Sequence, residues 1–207
     1  MNAVAPLSAL LDARRVWRGR APEVPAGDQP TGWRALDAVL PAGGWPDASL
    51  SEILLPVDGV GELRLVLPTL ARLTQSRRHV VIVSPPYAPC VAGWRQQGVD
   101  MRRVDIVEAA EKDVLWATEQ CLRSGSCAAV LAWPRQADDR ALRRLQVAAV
   151  TGQALAFVFR DRSHLSNASP AALRLELEAS PQPRIWVRKC RGGAVPPRPV
   201  PLTQLAR

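Results

Sequence analysis

Residues 50–70, LSEILLPVDGVGELRLVLPTL, decide the fold. Leu50–Leu55 is a short apolar run interrupted only by Ser51 and Glu52. Pro56, Asp58, Gly59 and Gly61 make a turn, and from Leu63 to Thr74 apolar residues recur at helical spacing. A short apolar strand handed through a glycine-containing turn to an amphipathic helix is one βα unit. The unit recurs downstream, pairing His79–Ser84 with Cys90–Gln97, Val104–Val107 with Asp113–Arg123 and Ala128–Trp133 with Asp139–Val150, before a last strand Leu155–Phe159. Strands this short and apolar, separated by helices, need cover on both faces, which a parallel sheet between helical layers supplies. The expected class is α/β, with a mostly parallel sheet flanked by helices. In Asp113–Arg123, Asp113 stands where an N-cap belongs and Gly125 lies just past the end.

Beyond Phe159 the pattern changes. Leu173, Leu175 and Leu177 alternate with Arg174, Glu176 and Glu178, and Ile185 and Val187 alternate with Trp186 and Arg188. Period-2 alternation marks half-exposed strands, and the turn Ser-Pro-Gln-Pro between them predicts an antiparallel pair extending the sheet. Upstream, residues 1–20 carry Leu7, Leu10, Leu11, Val16 and Trp17 among polar residues, an amphipathic helix whose Leu10, Leu11, Arg15 and Trp17 are candidates for docking a partner. Residues 21–30 hold three prolines and read as a linker, residues 31–193 as the domain, and residues 194–207 as a proline-rich tail, extended and weakly held.

With 47% apolar and 22% charged residues the chain is neither disordered nor membrane-spanning, because no apolar run approaches the roughly 18 residues a transmembrane helix needs. Residues 1–20 show no secretory pattern, so a cytoplasmic location is expected. Cys90, Cys121, Cys127 and Cys190 match no metal-ligand spacing and read as buried reduced thiols; with only His79 and His164 beside them, no metal site and no catalytic triad is expected. Charge is more telling. The 27 basic and 19 acidic residues give +8, but residues 1–139 hold 15 basic and 16 acidic side chains, whereas residues 140–207 hold 12 and 3. A one-sided basic region is the footprint of a phosphate backbone or an acidic partner. Arg140, Arg143 and Arg144 on one helix, Arg160 and Arg162 after the next strand, and Arg184, Arg188, Lys189 and Arg191 near the C-terminus form the candidate patch.

The first βα turn is where α/β proteins cradle phosphate. A working loop reads Gly-x-x-x-x-Gly-Lys-Ser/Thr, so that backbone N–H groups reach the phosphates, the lysine neutralises them and the hydroxyl holds magnesium. Counting back from Gly61, Pro56 stands at the first glycine, Glu62 at the lysine and Leu63 at the hydroxyl. The stretch Pro56, Asp58, Gly59, Gly61, Glu62 and Leu63 is thus a degenerate phosphate loop in which an anion faces an anion, and no nucleotide cofactor is expected.

The order Thr31-Gly32, Leu36-Asp37, Gly43-Gly44 and Glu52 ahead of that loop resembles the core of the RecA family. The likeness continues through VVIVSPPYAP, GVDMRRVDIV, ALAFVFRDR and SPAALRLELE. GGWP, GVGELRLVLPTLARL, LRSGSCAAVLAWP, LRRLQVAAVTGQALAFVFR and the terminal RKCRGG resemble more closely the ImuA family of translesion-synthesis proteins, long grouped with the SulA cell-division inhibitors. This resemblance implies a RecA-like fold without its chemistry: the water-activating acid would fall near Pro86, the magnesium-associated aspartate near Trp133 and the nucleotide-sensing glutamine around Arg160. It implies a non-catalytic accessory of SOS-induced mutagenic DNA synthesis. The implied partners are ImuB, a polymerase-like protein lacking catalysis, an error-prone DnaE-type polymerase, and RecA. The SulA-like alternative is a division inhibitor that binds FtsZ. One departure stands out: Asp47 and Ala48 occupy a turn where the family would place a glycine. Most of the seven tryptophans are expected in the core, with Trp17 and Trp186 as candidate interface residues.

Overall fold

A computed structural model describes residues 29–179 and 182–202. The expected N-terminal helix with Leu10, Leu11, Arg15 and Trp17, and most of the linker, lie outside the described residues. Eight strands form one sheet: β1 (Leu50–Leu55), β2 (His79–Val83), β3 (Val104–Val107), β4 (Cys127–Ala132), β5 (Leu155–Asp161), β6 (Leu173–Glu178), β7 (Arg184–Cys190) and β8 (Val200–Pro201). Their order is β3-β2-β4-β5-β1-β6-β7-β8. Neighbours from β3 to β6 run parallel, and β7 and β8 are added antiparallel. The helices are α1 (Arg34–Asp37), α2 (Glu62–Gln75), α3 (Val91–Gln96), α4 (Val114–Arg123) and α5 (Asp139–Gly152).

The strands read as continuously apolar because both faces are covered, and successive side chains sort to opposite sides. Ile53, Leu55, Val80, Ile82, Leu131, Phe157 and Phe159 join α1, α2 and α3 through Trp33, Leu36, Leu65, Leu70 and Trp94. Leu50, Val81, Val83, Val130, Ala156 and Val158 face α4 and α5 through Val114, Leu122, Leu142 and Leu145. The two indoles of the GGWP and TGW segments anchor the first layer. Trp33 Nε1 donates to the Leu65 carbonyl at 3.0 Å, and Trp45 Nε1 donates to Thr69 Oγ1 at 2.8 Å while meeting Phe157 edge-on. On the other face α4 and α5 close up at Gly152, where a Cβ would lie 1.7 Å from the Leu122 carbonyl oxygen.

Four sequence expectations need correction. Asp113 occupies the N-cap of α4 but its side chain caps nothing, because a 3-10 turn, Glu111–Asp113, runs directly into the helix; Asp138, by contrast, caps α5 by accepting from the Ala141 N–H at 2.7 Å. The described part of the tail is anchored at its far end: Val200 pairs with Ile185 in β8, and Val200 and Leu202 are buried. The thiols are not uniformly buried, since Cys90 is exposed and only Cys127 is fully inside. Trp116, expected in the core, is 60% exposed on α4. The Asp47-Ala48 turn also has a physical consequence, for Ala48 sits at φ 45, the left-handed region where a glycine carries no Cβ penalty.

Candidate functional site

The turn from β1 to α2 sits at the C-terminal edge of the parallel strands. Gly59 (φ 82) and Gly61 (φ 92) are both left-handed, and Gly61 is the N-cap of α2. The backbone therefore makes the tight entry that a phosphate cradle requires, but one of its donors, the Gly59 N–H, is taken by the chain itself. Glu62 is 3% exposed, and its Oε1 accepts the Gly59 N–H at 3.2 Å while Oε2 is buried without a partner. A carboxylate of the chain itself thus stands where an anion would be received and offsets the positive end of α2. Tyr87, from the SPPYAP segment after β2, lies against the loop so closely that a Cβ on Gly59 would come 2.9 Å from its ring.

Beside the loop opens a cleft of about 480 Å³ along the strand ends. Pro86 and Trp133 line it, at the positions where the RecA resemblance would put an acid and an aspartate, and the Trp133 ring stacks on Phe159 at 4.5 Å. Neither can take or give a proton as a catalytic carboxylate does. The charged groups of the cleft wall are mainly acidic: Asp58, Glu111 and Asp161 against Arg135 and Arg160. Hydrogen bonds from Ser163 hold the Asp161 carboxyl below the usual aspartate range. Arg135 is 3.8 Å from Glu111, and Arg160 is spent on Glu52. A polyphosphate would find no surplus of positive charge here.

Glu52, named from sequence only as part of the RecA-like order and given no role there, is fully buried on β1 and organises the centre of the sheet. Its Oε1 accepts from Arg160 Nη1 on β5 at 2.8 Å, and its Oε2 from Arg174 Nε on β6 at 2.6 Å. Arg160 also donates to the Ala137 carbonyl, and Arg174 to the carbonyls of His164, Leu165 and Asn167. One carboxylate thus ties three neighbouring strands and two connecting segments together.

The expected basic patch is correspondingly depleted. Arg160 is interior, with 1% of its side chain exposed, and cannot face DNA. Arg143 pairs with Asp139, Arg144 with Glu119, Arg184 with Glu178 and Arg188 with Glu176. Lys189 and Arg191 donate to the carbonyls of Ser169 and Pro170, and burial, then the charges of Arg191 and Arg174, push the Lys189 ammonium pKa down. Among the described residues only Arg140 and Arg162 of that set lack a hydrogen-bond partner or ion pair. The Trp186 indole, half-buried, donates to Glu178 and lies under Arg188, so it is held by its own sheet. No described helix is long and apolar enough to cross a membrane.

Fold and site together define a mostly parallel α/β protein whose first βα turn is filled by its own glutamate. Residues 49–156, just over half of the sequence, match the family model described as cell division inhibitor SulA, and the chain belongs to the SulA family. Among solved structures, SulA from Pseudomonas aeruginosa is similar at 28% identity over 56% of this chain and 98% of its own, with a TM-score of 0.46. No curated protein matches the chain.

Proposed function

We propose that this chain is a non-catalytic DNA-damage-response protein that works by occupying a surface of a protein partner. The observation that supports this reading is the buried Glu62 carboxylate in the first βα turn, an anion at the position where a nucleotide phosphate would be received. Membership in a family described by division inhibition supports FtsZ as the partner. The test is sedimentation of FtsZ polymers with increasing amounts of the full chain. A stoichiometric loss of polymer is expected, with no ATP binding by calorimetry; undiminished polymer removes FtsZ, and micromolar ATP binding removes the non-catalytic assignment.

A second reading is supported by what lies outside the matched segment. The family match ends at Ala156, inside β5, whereas β6, β7 and β8 continue the same sheet and supply Arg174 to Glu52. This added structure and the ImuA resemblance support an adaptor of mutagenic translesion synthesis that binds ImuB, the DnaE-type polymerase or RecA. Capture with tagged chain from nuclease-treated extracts of DNA-damaged cells separates the two readings. Co-recovery of ImuB and the polymerase supports the adaptor, and FtsZ without them supports the division inhibitor.

A further inference from the structure

The strand edge opposite the degenerate loop carries a cluster of arginines that neither reading uses. Arg77 and Arg78 end the turn from α2 into β2, and Arg102 and Arg103 lie in the 3-10 turn Met101–Arg103 that enters β3. Parallel pairing of Val80 with Val104 brings these two turns side by side, so that Arg103 Nη1 reaches His79 Nε2 at 2.9 Å. A guanidinium only donates, so Nε2 is the acceptor and Nδ1–H is left to donate to Asp105 at 3.1 Å. Between the turns lies an open cleft of about 470 Å³ lined by Gln75, Arg77, Asp100, Arg102 and Arg103. Asp100 clamps Arg102, whereas Arg77 and Arg78 have no side-chain partner among the described residues, and Arg103 meets the His79 ring rather than a carboxylate. Positive charge is crowded here: burial, then the charge of Arg78, lowers the pKa of the neighbouring Arg72 guanidinium.

The backbone makes this arrangement more telling. The Arg78 N–H donates to the Leu73 carbonyl and the Arg77 N–H to the Thr74 carbonyl, the paired bonds that close a helix through a left-handed residue. That residue is Arg77, at φ 60, a position glycine fills without strain. An exposed arginine kept in a strained conformation, beside Arg78 that likewise has no side-chain partner among the described residues, points to a binding role. The cleft offers no apolar pocket for the side-chain anchor that a peptide ligand uses, whereas arginine forks match phosphate oxygens.

We propose that Arg77, Arg78 and Arg103 form a site for the phosphodiester backbone of nucleic acid, held by charge without reading sequence. The experiment is fluorescence anisotropy of a labelled 20-nucleotide oligothymidylate, and of a duplex of equal length, against the full chain over a range of salt. Each arginine lost from a single strand lowers the salt slope by about 0.7 and affinity about fivefold near 0.1 M salt. Arg77→Gly combined with Arg78→Gln should therefore weaken binding roughly 25-fold and cut the slope by about 1.4. Arg77→Gly alone should bind about fivefold more weakly while raising the Tm, because it relieves the left-handed strain, so misfolding cannot account for the loss. Arg140→Gln and Arg162→Gln should leave binding unchanged. The proposal is overturned if the wild-type chain does not bind, if the double variant keeps its affinity, or if polyglutamate of equal charge displaces the oligonucleotide equally well. The last result would reassign the cleft to an acidic polypeptide.

Discussion

Glu52→Gln tests the centre of the fold. The wild-type carboxylate is fully buried and takes one guanidinium on each oxygen, at 2.8 Å from Arg160 and 2.6 Å from Arg174. Glutamine keeps the shape but removes the charge, and its amide N–H₂ group points a donor at one of two donors. Breaking a buried pair by removing one partner costs about 3–5 kcal/mol, because the remaining charge stays uncompensated. For a chain of this length that corresponds to roughly 6–20 °C in Tm. The loss should appear in urea unfolding followed by circular dichroism as a lower midpoint with unchanged slope. Glu176→Gln, which breaks the pair with Arg188 at the rim of the sheet, should cost below about 1 kcal/mol. Adding Arg160→Met to Glu52→Gln should recover part of the loss. One unpaired guanidinium is then gone, and Arg174 retains a neutral acceptor at residue 52 besides its three carbonyls. A single-variant loss under about 1 kcal/mol, or a double variant no more stable than the single, would refute the view that one carboxylate holds two buried cations in place.

Ala48→Gly should stabilise the chain by about 1 kcal/mol in the same unfolding assay, since Ala48 pays for a left-handed backbone at φ 45. Gly152→Ala should do the opposite, costing about 1–3 kcal/mol despite the better helix former, because its Cβ would meet the Leu122 carbonyl at 1.7 Å. Hydrogen bonds from Trp186, then from Arg184, hold the Glu178 carboxyl below the usual glutamate range. A depressed carboxylate stabilises above its unfolded pKa and loses that contribution as pH falls through the folded one. The stability gap between wild type and Glu178→Gln, measured at a series of pH values, should thus be open at neutral pH and close below about pH 4. Ellman titration of the folded chain should label exposed Cys90 first. Cys121 and Cys190 should follow slowly, because burial raises their thiol pKa, and buried Cys127 should react only on unfolding.

Local patterns made the strands and helices legible, since a six-residue apolar run such as Cys127–Ala132 has no other home than the middle of a covered sheet. The filled loop was legible too, because Glu62 and Leu63 stand at fixed distances from Gly61. What sequence concealed depends on register. Glu52 meets Arg160 and Arg174 across 108 and 122 residues, and only the placement of β1 between β5 and β6 makes the clamp. Counting charges along the chain also cannot see that, of the expected basic face, Arg160 is buried on Glu52 and Arg143, Arg144, Arg184 and Arg188 each stand beside an acid. The arginine pairs at 77–78 and 102–103 were hidden for the opposite reason. They lie in a stretch of balanced net charge and converge only when β2 pairs with β3. Trp116 was expected inside only because large aromatic residues are usually core anchors; at 60% exposure it lies on the outer side of α4, whose buried residues are Val114, Ala117, Thr118, Glu119 and Leu122.

The same register limits how the two partner readings can be separated. The family-matched segment, residues 49–156, contains both the filled loop and the arginine edge, which suggests a truncation as the direct test. Yet a chain ended at Ala156 would cut β5 after its second residue and remove both Arg160 and Arg174, leaving Glu52 buried with no cation. It would also leave β1, buried along its whole length, with no neighbour on its β6 side. An unpaired buried carboxylate and an uncovered apolar strand edge each favour unfolding or aggregation. Failure of such a fragment to bind FtsZ, ImuB or a polymerase would report the lost clamp rather than a lost docking surface. Point variants on exposed positions, among them Trp116 and Arg77, leave that clamp intact and separate binding from folding.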